Sequence, residues 1–492
     1  MLFTSAAFAF LYLPVVICVY FLLPETWRRW GASWLFAASV FFYGYWMPEY
    51  VVLLLGSIIW NYAVGLRIAT HDAGAPGAKR WLVAGVTVNL GLLAYYKYAG
   101  FLVTNIASMI GADWPPTHIE LPIGISFFTF TQIAFLADAY QKGTREYAFS
   151  HYGLFVTYFP HLVAGPVLHH AQMMPQFRDT TTHRFNSGNF VGGLIIFMIG
   201  LFKKVVLADG ISPYADTVFN EVQAGAIPDT AEAWIGAIAY TFQLYFDFSG
   251  YSDMAIGLSW MLNIRLPFNF DSPYRALSIS DFWRRWHISL SNFLRDYLYI
   301  PLGGNRKGPA HRYLNLLITM LLGGLWHGAA WTFVVWGGLH GLYLAINHGF
   351  RTVVSRHAPA LIDNVIYRLA AWALTFLSVV VAWVFFRAES FTTAFSILSA
   401  MASGGLASDA PHAILWNAGL DITRGSAWCV VLGLVAFLSP NSNRIGEHAL
   451  AIVRTHPTAR SMLAGGALAL ACLLVILNET RDAMSAFIYF NF

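Results

Sequence analysis

The chain of 492 residues is 57% apolar and only 11% charged, with a formal net charge of +4. A soluble domain carries about 25% charged residues, so the polar surface needed to hold this chain in water is missing and the soluble globular class is excluded. A hydrocarbon core about 30 Å thick takes about 20 apolar residues per helical crossing, which leaves room for roughly ten to twelve crossings.

The expected fold is therefore an all-α polytopic membrane protein, with 1–492 forming one domain. The net charge is too small and too scattered for a nucleic-acid partner. Cys18, Cys429 and Cys472 all lie inside apolar runs. An odd number so placed argues against a disulfide framework, and no Cys or His spacing suggests zinc. The 18 tryptophans fit interfacial belts.

From the N-terminus, residues 1–23 are almost purely apolar, with no basic start and no small-residue cleavage site. They are expected to be a retained first helix rather than a signal peptide. Further apolar runs follow at 34–46, 50–66, 81–96, 121–140, 189–207, 234–263, 313–326, 330–346, 367–386, 427–438 and 462–477. Several are short or broken by Gly and Pro, and irregular backbone at membrane depth is tolerated only inside a bundle or along a wet cavity. The middle of the chain is thus expected to line something. Arg28 and Arg29 and the basic loop at 67–80 are separated by two short crossings, which puts them on one side, the cytoplasm. The densest basic stretch, from Arg275 to Arg312, is placed on the same face.

Within that stretch, 281–301 reads DFWRRWHISLSNFLRDYLYIP. On one continuous helix, Phe282, Trp286, Leu290, Phe293 and Tyr297 fall in a stripe about 80° wide. Arg284, Arg285, Asn292 and Arg295 occupy the opposite half, and His287 sits on the shoulder near Ser291 and Leu294. The pattern predicts an interfacial amphipathic helix. Its basic face is either a headgroup anchor or, because guanidinium forks match phosphate, a site for a phosphate-bearing ligand.

His327 lies in GGLWHGAAWTF, deep in an apolar run and surrounded by glycine and alanine. An ionisable group there is costly and marks a functional candidate. The bland alternative is a neutral histidine bonded across the bundle. His340 is 13 residues on, about 220° round a continuous helix, so it is expected on another face in a structural role.

Three features are weaker. FPHLVAGP at 159–166 suggests a broken element in which His161 caps a helix. Asp247 and Asp253 in YFDFSGYSD are expected to partner arginines of the basic stretch, and Lys203–Lys204 to be a snorkelling helix end. No P-loop, Rossmann fingerprint, G-x-S-x-G or H-E-x-x-H is present, which removes the common NTPase, hydride-transfer, serine-hydrolase and zincin readings.

The run from FDFSGYSDMAIGLSWMLNI through LPFNF and DFWRRWHISLSNFLRDYLYIPLGGNRKG to LLGGLWHGAAWTF resembles the membrane-bound O-acyltransferase family, in its alginate O-acetylase-like branch. LPIGISFFTF, YFPHLVAGPV and the closing FIYFNF support the likeness, which extends over nearly the whole chain and is weakest after about residue 386. The resemblance implies a ring of helices around a central funnel, with the core at about 121–350. It implies His327 as the catalytic histidine and His287 as a second one that positions the acyl group. The donor and substrate residues expected with them are Arg284, Arg285, Trp286, Ser291, Arg295, Asn305 and Trp326.

The implied activity is O-acetyl transfer from a cytoplasmic thioester, acetyl-CoA or an acyl carrier, towards hydroxyls of an exported polysaccharide such as alginate. Periplasmic partner proteins would pass the group on, and the enzyme would sit in the inner membrane among its lipids. No permanently bound cofactor or metal is needed, since a thioester is already activated and asks only for positioning, a base and oxyanion stabilisation. The competing class is a polysaccharide or lipid-linked sugar transporter with a histidine proton relay. A transporter should show paired broken helices in two related halves, and this sequence has one dense polar block. A scaffold that only recruits soluble enzymes would leave the two histidines beside a basic patch unexplained.

Overall fold

The computed structural model describes residues 1–112, 119–163, 165–403, 413–480 and 487–488. It is 80% helical and has no strand among the described residues. In hydrocarbon every backbone N–H and C=O must be satisfied within the protein, and the helix does this inside one segment. Four helices are long and apolar enough to cross a membrane, namely Pro48–Ala69, Ser187–Gln223, Val365–Arg387 and Pro457–Glu479; Ile422–Leu438 with Ser442–Thr455 makes a fifth if the pair is one span. The length had room for about twice as many. The difference lies in breaks and polar content: several apolar runs are divided by turns, and π-helical turns interrupt the backbone at Ala7–Tyr12, Ala94–Tyr98, Lys203–Ala208 and Arg295–Tyr299. The short helix at Gly31–Gly44 is only about 21 Å long at 1.5 Å per residue.

The chain forms two compact units from interleaved segments: 1–201, 251–268 and 442–486 in one, 202–250, 269–441 and 487–492 in the other. In the first, a buried polar file joins neighbouring helices. Asn61 and Asn89 exchange side-chain hydrogen bonds, and Gln132 donates to Ser57 at 2.9 Å. Gly193 and Gly257 face each other so closely that a Cβ on either would collide with the other's carbonyl oxygen, the small-residue packing that membrane helices use in place of a hydrophobic drive. The FPHLVAGP segment breaks after the helix Phe149–Thr157, and His161 donates from Nε2 to the Phe155 carbonyl at 3.0 Å, capping it as expected.

The second unit carries α1 (Thr230–Met261, of which residues to Gly250 belong here), α2 (Ile279–Arg285), α3 (Ile288–Leu294), α4 (Pro309–His327), α5 (Trp331–His357) and α6 (Val365–Arg387). Helices α4 and α5 form a tight hairpin. A Cβ at Gly324 would strike the Phe333 carbonyl and one at Gly337 the Met320 carbonyl.

Four expectations are corrected here. The basic stretch is not one amphipathic surface helix: it breaks at Trp286–His287, and its aromatic stripe, with Phe282, Trp286, Leu290 and Phe293, is buried in the protein. Lys204 does not snorkel, and Asp247 does not pair with an arginine of the basic stretch; the two are buried together, 2.6 Å apart. Nor is the 313–346 region a continuous helix, so the angle computed between His327 and His340 does not apply. The tryptophans also divide between two environments. Trp27 and Trp30 are exposed as a belt requires, but Trp286, Trp336 and Trp383 are almost fully buried. Edge-to-face and offset pairs of this kind contribute about 0.5–1.5 kcal/mol each.

Candidate active site

His287 lies in the two-residue break between α2 and α3, with φ +42° and ψ +54°. That left-handed conformation costs a non-glycine residue roughly 1–2 kcal/mol, and it turns the imidazole into the protein, where the residue is completely buried. Its Nδ1 is 3.3 Å from Asn269 Oδ1, which also receives the Ser289 backbone N–H (3.2 Å) and the Ser289 hydroxyl (2.9 Å). The Ser289 N–H can only donate, so the amide oxygen is the atom facing this group of donors. His287 Nδ1 must then donate too, and the neutral ring carries its lone pair on Nε2. A ring in that tautomer can receive a proton at Nε2.

His327 is the last residue of α4. Its ring is boxed on three sides by Trp326, Trp336 and Phe386, with centroids at 4.9, 5.1 and 5.2 Å, all edge-on. Trp326 is also the neighbour of His287, at 6.5 Å. Trp326 thus has a ring contact with each of the two histidines. On the far side of the box the series continues from Trp336 to His340 (4.9 Å), whose Nδ1 accepts the Trp283 indole N–H at 3.3 Å.

Trp283 also lines a cavity of about 470 Å³, together with Arg284, Ser291, Arg295, Asn305, Arg312, Thr319, Met320 and His348. Four of the seven donor-side residues expected from the sequence meet here: Arg284, Ser291, Arg295 and Asn305. Trp326 belongs to the histidine pair instead. Arg285 and Trp286 do not line this cavity: Arg285 is turned to Asp281 (3.0 Å) and Asp271 (3.7 Å), and Trp286 is packed on Trp383 and Phe270 at 5.0 and 5.1 Å.

Arg295 forks onto Asp296, which offsets part of its charge, at 2.7 and 3.1 Å. A second cavity of about 290 Å³ shares Arg284 and adds Arg351, Arg368, Asn347 and Tyr367. Burial, with Arg312, Arg351 and Arg284 adding repulsion, holds His348 below its ordinary value. It sits outside the candidate spanning helices. A concave, cationic, partly apolar chamber of this kind suits an anionic ligand with an apolar arm. Among the described residues no group of three or more His, Cys, Asp or Glu could hold a metal ion.

Sequence reasoning missed Asn269, Arg351, Arg368 and Trp283 as site residues, while Arg312 was seen only as the end of the basic stretch. Asn269 stands in LPFNF, and only the fold shows that its amide serves His287. Arg351 and Arg368 lie well beyond the basic stretch.

A family model described as the membrane-bound O-acyltransferase family matches residues 122–384. A peptidoglycan O-acetyltransferase of Helicobacter pylori is 43% identical over 429 residues, covering 82% of this chain and 80% of that protein. A protein of Pseudomonas putida named "Probable alginate O-acetylase AlgI" is 45% identical over 412 residues, covering 82% and 81%. A teichoic acid D-alanyltransferase of Bacillus subtilis is more distant, at 26% over 246 residues, covering 48% of this chain and 61% of the relative.

Proposed function

The chain belongs to the membrane-bound O-acyltransferase family and is a multi-pass membrane O-acetyltransferase; from that premise we propose that it moves an acetyl group from a cytoplasmic thioester donor towards hydroxyls of an exported polysaccharide. The enzyme sits in the inner membrane, and periplasmic partner proteins carry the group to the polymer. The two more similar relatives above are named for peptidoglycan O-acetyl transfer and for probable alginate O-acetylation; alginate is the acceptor we assign.

The observation that supports the proposal is that Trp326 has ring contacts with both His287 and His327, while Trp336 links His327 to Trp283, which lines the arginine-bearing cavity. In the transfer, a hydroxyl oxygen attacks the thioester carbonyl, a C–O bond forms and the C–S bond breaks. The hydroxyl proton goes to a base and from there to the departing thiolate. His327 is assigned as that base, worth about 10²–10⁴ in rate. His287, held by Asn269 with its lone pair on Nε2, orients the reacting groups by hydrogen bonding. Arg284, Arg295 and Arg312 receive the anionic part of acetyl-CoA or of an acyl carrier, with Ser291 and Asn305 beside them.

The test is thiol release and acetyl transfer by the protein in native membranes that retain the periplasmic partner proteins, given acetyl-CoA or an acetylated carrier protein with alginate as acceptor. The expected result is transfer that depends on His327. Absence of both thiol release and transfer with either donor overturns the donor assignment.

A further inference from the structure

Three sequence features have no task in that chemistry: the lysine pair 203–204, the acidic aromatic run at 245–253 and the closing FIYFNF. The fold brings Lys204, Asp247 and Phe248, and Phe487 and Ile488 to one place in the second unit. Lys204, within the π-turn Lys203–Ala208, is buried with its Nζ 2.9 Å from Asp209 and 2.6 Å from Asp247. The other oxygen of Asp247 accepts the backbone N–H of Ile488 at 2.9 Å, across 241 residues of chain. The neighbour of Ile488, Phe487, packs on Phe248 with centroids 5.7 Å apart. Phe248 in turn sets its ring edge-on to the imidazole of His287, at 4.7 Å and 85°.

A buried carboxylate has acceptor capacity beyond one ammonium partner and requires further donors. The Ile488 N–H supplies one, so Ile488 is tied to the same carboxylate that pairs with Lys204. Buried ion pairs contribute little net stability but specify geometry. Here the residue next to the clamp on α1 is Phe248. The Asn269 hydrogen bond holds one nitrogen of His287, and the aromatic edge of Phe248 adds a contact that favours one tilt of the ring.

We propose that Phe487 and Ile488 form a carboxyl-terminal latch that positions His287, with Asp247 gripping the Ile488 backbone and Phe487 pressing Phe248 against the imidazole. The latch rests on the reading of His287 as part of the catalytic pair. Phe487, Ile488, Asp247 and Phe248 are positioning residues; none is assigned a contact with substrate.

The experiment uses the full chain in nanodiscs. Ile488→Pro deletes the one backbone donor, and Phe487→Ala deletes the ring. Each is expected to lower kcat about tenfold, with donor KM and thermal unfolding unchanged, and Phe487→Tyr is expected to restore the rate. A second readout does not depend on acetyl transfer: carbethoxylation of His287 by diethylpyrocarbonate, followed by peptide mass spectrometry, should quicken in Phe487→Ala and return to the wild-type rate in Phe487→Tyr. Unchanged His287 modification together with unchanged kcat overturns the latch. So does a loss of kcat matched by a rise in donor KM and a lower unfolding temperature, which would assign these residues to general packing. If the wild-type protein transfers no acetyl group, the proposed function falls, while the modification arm still decides the latch.

Discussion

Asn269 holds His287 by a single amide oxygen, 3.3 Å from Nδ1, and the same oxygen receives two hydrogen bonds from Ser289 at the start of α3. The histidine and the helix that follows it are thereby tied to one atom. This compensates for the left-handed backbone at His287 and fixes the tautomer. Asn269→Ala removes all three acceptor contacts. Each is worth about 0.5–1.5 kcal/mol, so kcat should fall by an order of magnitude or more, with donor KM little changed. Steady-state kinetics of the purified variant check this; an unchanged kcat would mean that His287 keeps its orientation without Asn269.

His327→Ala is expected to reduce acetyl transfer by about 10²–10⁴, the range for loss of a placed base, while the protein inserts and folds normally. The residue closes α4, and its ring meets only the edges of Trp326, Trp336 and Phe386 among the contacts described above, so its removal leaves the α4–α5 glycine packing intact. The measurement is polymer acetylation against the amount of protein in the membrane. Near-normal acetylation by a well-expressed variant would rule out His327 as the base.

His287→Ala should cripple the enzyme, and His287→Asn should retain more activity. An asparagine side chain can still donate to Asn269 and still offer a polar atom towards the reacting groups, which suffices if the role is orientation. If the two variants are equally inactive, His287 moves a proton itself, and the Nε2 lone pair that its tautomer provides is the place where it does so.

Much of this arrangement was legible in the sequence, and the remainder fails for identifiable reasons. The apolar composition gave the membrane class, and an imidazole among small residues marked His327. The helical wheel over 281–301 failed because it assumed one helix. The break at Trp286–His287 carries no proline or glycine to announce it; a left-handed histidine supplies the turn. The same assumption supplied the angle between His327 and His340, which does not apply because the chain breaks between α4 and α5; His340 lies one helical turn beyond Trp336 on α5. Asn269 could not be recognised without the fold, since a lone asparagine has no spacing signal. Arg351 and Arg368 join Arg284 only through the packing of α5 and α6. Lys204 and Asp247 were each noticed, but sequence gives no means of pairing residues 43 positions apart across a turn.

The last prediction concerns the donor side, where the structure separates two adjacent arginines. Arg284 is shared by both cavities, whereas Arg285 is paired with Asp281 and Asp271 and lines neither. If the chamber receives an anionic thioester donor, Arg284→Gln should raise the donor KM several-fold with kcat preserved, the signature of lost binding that is equal in ground and transition states. Arg285→Gln should leave the donor KM near wild type and instead loosen the link between α2 and the segment at Asp271. Raised salt should imitate Arg284→Gln in the wild-type enzyme, because exposed charges are screened over about 8–10 Å at moderate ionic strength, and should add little in the variant. A headgroup anchor predicts another pattern: both substitutions would reduce insertion, and the correctly inserted fraction would keep its donor KM. Cysteine labelling of position 307 completes the test, since a periplasmic location for Lys307, which follows this chamber's Asn305 by two residues, would exclude a cytoplasmic donor at this site whatever the kinetics.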